Sequence, residues 1–125
     1  RTGVTVILPH PGDLYRKKVR AAVHTINGYG KACGFEQVRE LGLLESPIAL
    51  TNTFNVGLVA DALIQRSMEL DPAIGAAEGC GSMNVVVGET NDGYLNDLPG
   101  RHVRYEHVRA AWDAALESGD LAPVA

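Results

Sequence analysis

The chain has 125 residues, 46% of them hydrophobic, and a formal net charge of −4. A chain of this length fills one core, so a single domain or a piece of one is expected. The acidic balance and the scatter of Lys and Arg supply no basic stripe for phosphates or anionic lipid, which argues against nucleic acid and membrane surfaces as partners.

No apolar run approaches the roughly 20 residues that cross a bilayer, and no charged n-region leads into an apolar h-region. A soluble protein is expected. The sequence begins at Arg1 and enters "RTGVTVILPH" at once, which reads as the interior of a sheet, so a missing or processed start is expected. Cys33 and Cys80 lie far apart with no CxxC or CxxH spacing, which fits a reduced cytoplasm. His10, His24, His102 and His107 are never four apart, and none neighbours a cysteine at zinc-ligand spacing. Neither a metal site nor a cofactor is expected.

In chain order, the β-branched run Val4 to Leu8 reads as a strand that stops at "PHPGD". Asp13 then suits a helix cap. Val19, Ala22, Val23 and Ile26 recur at helical spacing, so a helix is predicted up to "NGYG", where Gly28 and Gly30 would close it and reverse the chain. "FEQVREL" alternates loosely and is read as a strand.

"SPIALTNTFNVGLVADALIQRSMEL" predicts a strand over Ile48 to Leu50, a polar turn at Thr51-Asn52-Thr53, and a helix capped by Asn55. Val56, Val59, Ala60, Leu63 and Ile64 form that helix's apolar face. Two readings of the turn stand: ordinary capping, or a helix N-terminus that receives an anionic or carbonyl oxygen. "DPAIGAAEGCGSM" reads as a loop.

The strand Val85 to Thr90 follows, with Val85, Val87 and Glu89 on one face. A carboxylate leaving an apolar strand face needs a partner. Glu89 would either accept N–H groups from the Asn91-Asp92-Gly93 turn or hold a ligand ammonium group. "RYEHVRAAWDAALESGD" predicts a final helix with Val108, Ala111, Trp112 and Ala115 inward and Gly119 just past its end. The order of elements gives an α/β domain. No Walker loop, GxGxxG cradle or GxSxG elbow is present.

Four stretches in order, "RTGVTVILPH", "NGYGK", "ELGLLESPIALTNTFNVG" and "VVVGETNDGYLNDLPGRHV", resemble the N-terminal part of the DmpA family. That family comprises L-aminopeptidase/D-esterase/D-amidase enzymes and β-peptidyl aminopeptidases. The resemblance implies an αββα sandwich like that of the N-terminal-nucleophile hydrolases, with different connectivity, of which residues 1–125 would be a single-domain fragment. It also implies a precursor that cleaves itself into α and β chains. The β chain would begin with the nucleophilic serine, so the catalytic nucleophile is not expected in this sequence. Family α chains continue past the last helix to a strand with an oxyanion-hole asparagine and a cleavage-site glycine, which do not follow "APVA" here.

By the same resemblance, the acidic residue that holds the substrate's amino group falls on Glu89 in "GETND". Two positions later relatives carry an active-site tyrosine where this chain has Asn91. A carboxamide differs from a phenol in reach and acidity, and Tyr94 offers a phenol from the next turn. Asn52, Asn91 and Tyr94 are the further substrate-binding candidates. The expected partners are the β chain of the same precursor, further αβ units in an oligomer, and a peptide, amide or ester bearing a free amine. An acyltransferase using the same acyl-enzyme, or an inactive binding or assembly homologue, are the alternatives.

Overall fold

The structure, a computed structural model, describes residues 2–118. Its elements in chain order are β1 (Val4–Ile7), β2 (Val19–Arg20), β3 (Ala32–Cys33), α1 (Phe35–Leu41), β4 (Leu43–Leu44), β5 (Ile48–Thr51), a 3₁₀ turn (Thr53–Asn55), α2 (Val56–Leu70), β6 (Val86–Glu89) and α3 (Tyr105–Ser118).

Four strands make one sheet in the order β1-β5-β6-β3, and β2 and β4 form a separate antiparallel ribbon. β5 and β6 run parallel, which requires a crossover, and α2 supplies it. β1 and β3 flank that pair antiparallel. Helices α2 and α3 cover one sheet face together. On that side Ala49 and Val87 meet Val59, Leu63, Val108 and Trp112 in the main core. Successive strand residues point to opposite faces, so Val86 and Ile48 turn instead toward α1 and β4, where Val38 and Leu44 close a second cluster. Both faces of β6 are therefore buried, as the unbroken Val85-Val86-Val87 run requires. The result is the mixed α/β class expected, with a helix layer on one face of the sheet. No described helix is long and apolar enough to cross a membrane.

Two predicted elements are corrected. The helix expected after Asp13 is a single turn: Asp13 accepts the Arg16 N–H at 3.1 Å and the Lys17 N–H at 2.8 Å, and there the helix stops. Val19–Arg20 pairs with Leu43–Leu44 instead, the Ala21 N–H donates to the Gly42 carbonyl at 3.0 Å, and Ala21 and Val23 pack on the Val38 cluster. A short helix is marginal alone, and the pairing offered by β4 outweighs it. Gly28 and Gly30 accordingly close no helix and take no left-handed conformation.

The second correction is "FEQVREL", which is helix α1 rather than a strand. Phe35 and Val38, three residues apart, share its inward side, and glycines bracket it. Gly42 ends it in a left-handed conformation that returns its N–H to the Val38 carbonyl at 2.8 Å. Gly34 begins it at φ +83, with the Val85 carbonyl oxygen 1.9 Å from where a Cβ would stand. Seven residues hold too few repeats for either period to be read from sequence alone.

The strand, turn and helix over residues 48–70 and the loop after it form as expected. Their cap does not. Asn52 caps the 3₁₀ turn, while Asn55, at the start of α2, makes no side-chain cap bond. The last helix is present with Val108 and Trp112 buried. Gly119 lies outside the described residues.

Candidate active site

Glu89 ends β6 directly opposite Thr51 of β5. The parallel pairing carries on past both, since the Thr90 N–H donates to the Thr51 carbonyl at 2.7 Å. On the other side the Glu89 N–H donates to the Lys31 carbonyl at 3.1 Å, just ahead of β3. The backbone of Glu89 is thus held from both neighbouring strands.

Its carboxylate is held as well. Thr53 Oγ1 donates to Oε1, and the Lys31 backbone N–H donates to Oε2. Neither partner belongs to the Asn91-Asp92-Gly93 turn, which closes on itself: Asn91 Oδ1 accepts the Gly93 N–H at 3.0 Å. The Thr53 hydroxyl and the Lys31 N–H hold the Glu89 carboxyl below its usual range, with burial opposing them and the Lys31 charge assisting.

Glu89 lines an open groove of about 740 Å³ together with His24, Ile26, Lys31, Phe35 and Arg39. Arg39 is occupied by Glu36 and by Thr25 Oγ1, which it reaches at 3.0 Å. Lys31 Nζ lies over the Tyr29 ring and donates to the Tyr29 carbonyl at 3.2 Å, while its charge still acts on the Glu89 carboxylate from a distance. Among the described residues, Glu89 is thus an anionic end of a groove whose neighbouring cations have other partners. An anion so placed attracts an ammonium group by charge-assisted hydrogen bonds.

The other three candidates lie elsewhere. Asn52 is 1% exposed and does not line the groove. Its Oδ1 accepts the Phe54 N–H at 3.2 Å, and its Nδ2 donates to Thr2 Oγ1 at 3.1 Å and to Asn55 Oδ1 at 2.8 Å. Asn55 in turn donates to the Val103 carbonyl at 3.2 Å. This buried network fixes the turn on which Thr53 is carried. Asn91 and Tyr94 stand on the exposed segment after β6, the Tyr94 ring wholly in solvent.

Thr53 and Lys31 were not singled out in the sequence. Thr53 lies within the polar turn of "TNTFNVG" and reads there as capping chemistry. Only the parallel register between β5 and β6 brings it to Glu89.

A family model described as Peptidase family S58 matches residues 1–125. Over 122 residues the chain is 38% identical to the beta-peptidyl aminopeptidase BapA of Sphingosinicella microcystinivorans, a match covering 98% of this chain and 29% of that protein. A solved Burkholderia sp. beta-aminopeptidase superposes with a TM-score of 0.81 at 48% identity, over 91% of this chain and 31% of that one. The L-aminopeptidase D-Ala-esterase/amidase from Ochrobactrum anthropi, described as a prototype for the serine aminopeptidases and a new variant among the Ntn hydrolase fold, superposes with a TM-score of 0.71 at 28% identity. That match covers 90% of this chain and 37% of the other. The chain therefore spans about a third of the length of these relatives.

Proposed function

The chain belongs to peptidase family S58, the DmpA family, and from that premise we propose that it is the amine-binding part of the α chain of a self-processing aminopeptidase. The observation that carries this reading is the Glu89 carboxylate, kept ionised at the edge of an open groove by Thr53 and Lys31.

In this reading residues 1–125 are one domain fragment, and the nucleophile is a Ser or Thr that begins the β chain cut from the same precursor. Its hydroxyl oxygen attacks the scissile carbonyl, an ester to the enzyme forms, and the amide or ester bond to the leaving group breaks. The leaving group departs with the proton that the nucleophile gave up. Water then cleaves the new ester and frees the N-terminal residue. Glu89 grips the substrate's ammonium throughout, which fixes its distance from the carbonyl and confines cleavage to the chain end. Asn52 serves the pocket by holding the turn of Thr53, and Asn91 and Tyr94 shape its outer edge once the β chain is in place.

Exposed Ile26, Tyr29, Tyr94 and Leu95 suit burial against the β chain or further αβ units. In this reading the protein works in the cytoplasm, where lone cysteines such as Cys33 and Cys80 stay reduced. Substrates are peptides, amides or esters with a free amine.

The test compares Glu89→Gln with the wild type in the complete gene product, on an amide with a free amine and on an N-acetylated ester. Loss of a charged hydrogen-bond partner is expected to raise KM for the free amine by about 10- to 100-fold more than for the blocked ester. Equal losses on both substrates would overturn the reading.

A further inference from the structure

We propose that Thr53 is a positioning residue for amine recognition, its hydroxyl holding the Glu89 carboxylate in the orientation that receives an ammonium group. This rests on the role given to Glu89 above.

A carboxylate offers about four lone-pair sites on its two oxygens. Here each oxygen takes one protein donor, Thr53 Oγ1 on Oε1 and the Lys31 N–H on Oε2. Each oxygen therefore keeps acceptor capacity for a substrate ammonium, while the carboxylate plane is pinned at both ends. A glutamate side chain has three rotatable bonds, and ordering them only when substrate arrives would oppose binding. The two donors order them beforehand.

The two donors differ in kind. The Lys31 N–H belongs to the main chain and is present whatever residue occupies that position. The Thr53 hydroxyl is a side-chain choice. Thr53 is half-buried and its hydroxyl donates to Glu89 Oε1, so its role is to hold the carboxylate that receives the substrate. Its aim is fixed twice over. Threonine is branched at Cβ and stiff about χ1. The turn that carries it is locked by the buried Asn52 amide and its bonds to Thr2, Asn55 and Phe54.

The test uses Thr53→Val, which keeps the shape and removes the donor, and Thr53→Ser, which restores the donor, both in the complete gene product beside Glu89→Gln. In Thr53→Val, KM for a free-amine amide is expected to rise about tenfold more than KM for the N-acetylated ester, with kcat moving less than KM. Thr53→Ser is expected to return that ratio to within about threefold of wild type. A Thr53→Val effect equal on both substrates, or no rescue by serine, overturns the proposal. If Thr53→Val does not fold, Thr53→Ala gives the same comparison. Should Glu89→Gln separate the two substrates while the Thr53 variants do not, only the Thr53 assignment fails. Should Glu89→Gln affect both substrates equally, the reading of Glu89 itself fails.

Discussion

Lys31 and Glu89 exchange backbone and side-chain bonds: the Glu89 N–H donates to the Lys31 carbonyl at 3.1 Å, and the Lys31 N–H donates back to the Glu89 carboxylate. With Thr53, this closed pair keeps the Glu89 carboxyl below its usual 4.5. The sign follows from which form is bonded. The ionised carboxylate accepts both donors, so its grip on an ammonium is lost at lower pH than that of an unassisted glutamate. The acid climb in KM for a free-amine substrate is therefore expected at lower pH than an ordinary glutamate would give, and in Thr53→Val at higher pH than in the wild type. His24, Glu36, Lys31 and Arg39 also face this groove. A His24→Gln control separates any contribution of that imidazole. A Thr53→Val climb at the same pH as wild type, unaffected by that control, would contradict the expectation.

Glu45 gives a stability prediction at acid pH. Its side chain is 9% exposed and accepts from Lys18 Nζ at 2.7 Å, Gln37 Nε2 at 3.1 Å and the Asn84 N–H at 2.6 Å. Burial pushes this carboxyl up, but Lys18, the Asn84 N–H and Gln37 together bring it below 4.5. A folded value under the unfolded one stabilises the protein above about pH 4.5, and that contribution fades as pH falls through the folded value. Thermal melting of Glu45→Gln is expected to show a lower Tm at pH 7 and a shallower decline between pH 5 and 3 than wild type. Parallel acid limbs would contradict the role given to this carboxylate.

Gly34 and Gly42 bracket α1 with positive φ, yet their surroundings differ. A Cβ on Gly34 would stand 1.9 Å from the Val85 carbonyl oxygen, whereas one on Gly42 would find its nearest neighbour, the Ala21 carbonyl oxygen, at 3.9 Å. Gly42→Ala meets only the left-handed backbone, for about 1 kcal/mol. Gly34→Ala must also displace main chain at the head of β6, for about 3 kcal/mol or more. Denaturant unfolding of the two variants measures the gap, and equal midpoints would contradict this account.

Asn55 is fully buried at the start of α2 and bridges two segments, accepting from Asn52 and donating to the Val103 carbonyl. Asn55→Ala leaves a buried amide donor and a buried carbonyl without these partners, which costs about 2 to 3 kcal/mol. A Tm unchanged from wild type would show that water replaces both bonds.

The proposed maturation has its own readout. Intact-mass spectrometry of the purified complete gene product under denaturing conditions is expected to show two polypeptides, with N-terminal sequencing placing Ser or Thr first in the second. A single uncut polypeptide, or a different first residue, would contradict the self-processing reading.

Strands β1, β5 and β6 and helices α2 and α3 were legible in the chain because each buries a face long enough to imprint a period. So was Glu89, since a carboxylate leaving a valine run stands out against its neighbours, and so was the family, spread over stretches from Arg1 to Val103. The segment after Asp13 and "FEQVREL" were not. Each is a short piece whose local preference is weak, and the partner that decided it, β4 for one and the Val86 face for the other, lies elsewhere in the sequence. The same holds at the site. Sequence by itself marked Glu89 as a carboxylate in need of a partner, because burial of charge is a local matter of residue type and pattern. Which groups answer it was decided only by strand pairing, which sets Thr51 opposite Glu89 and so carries Thr53 and Lys31 to its two oxygens across 36 and 58 residues of chain.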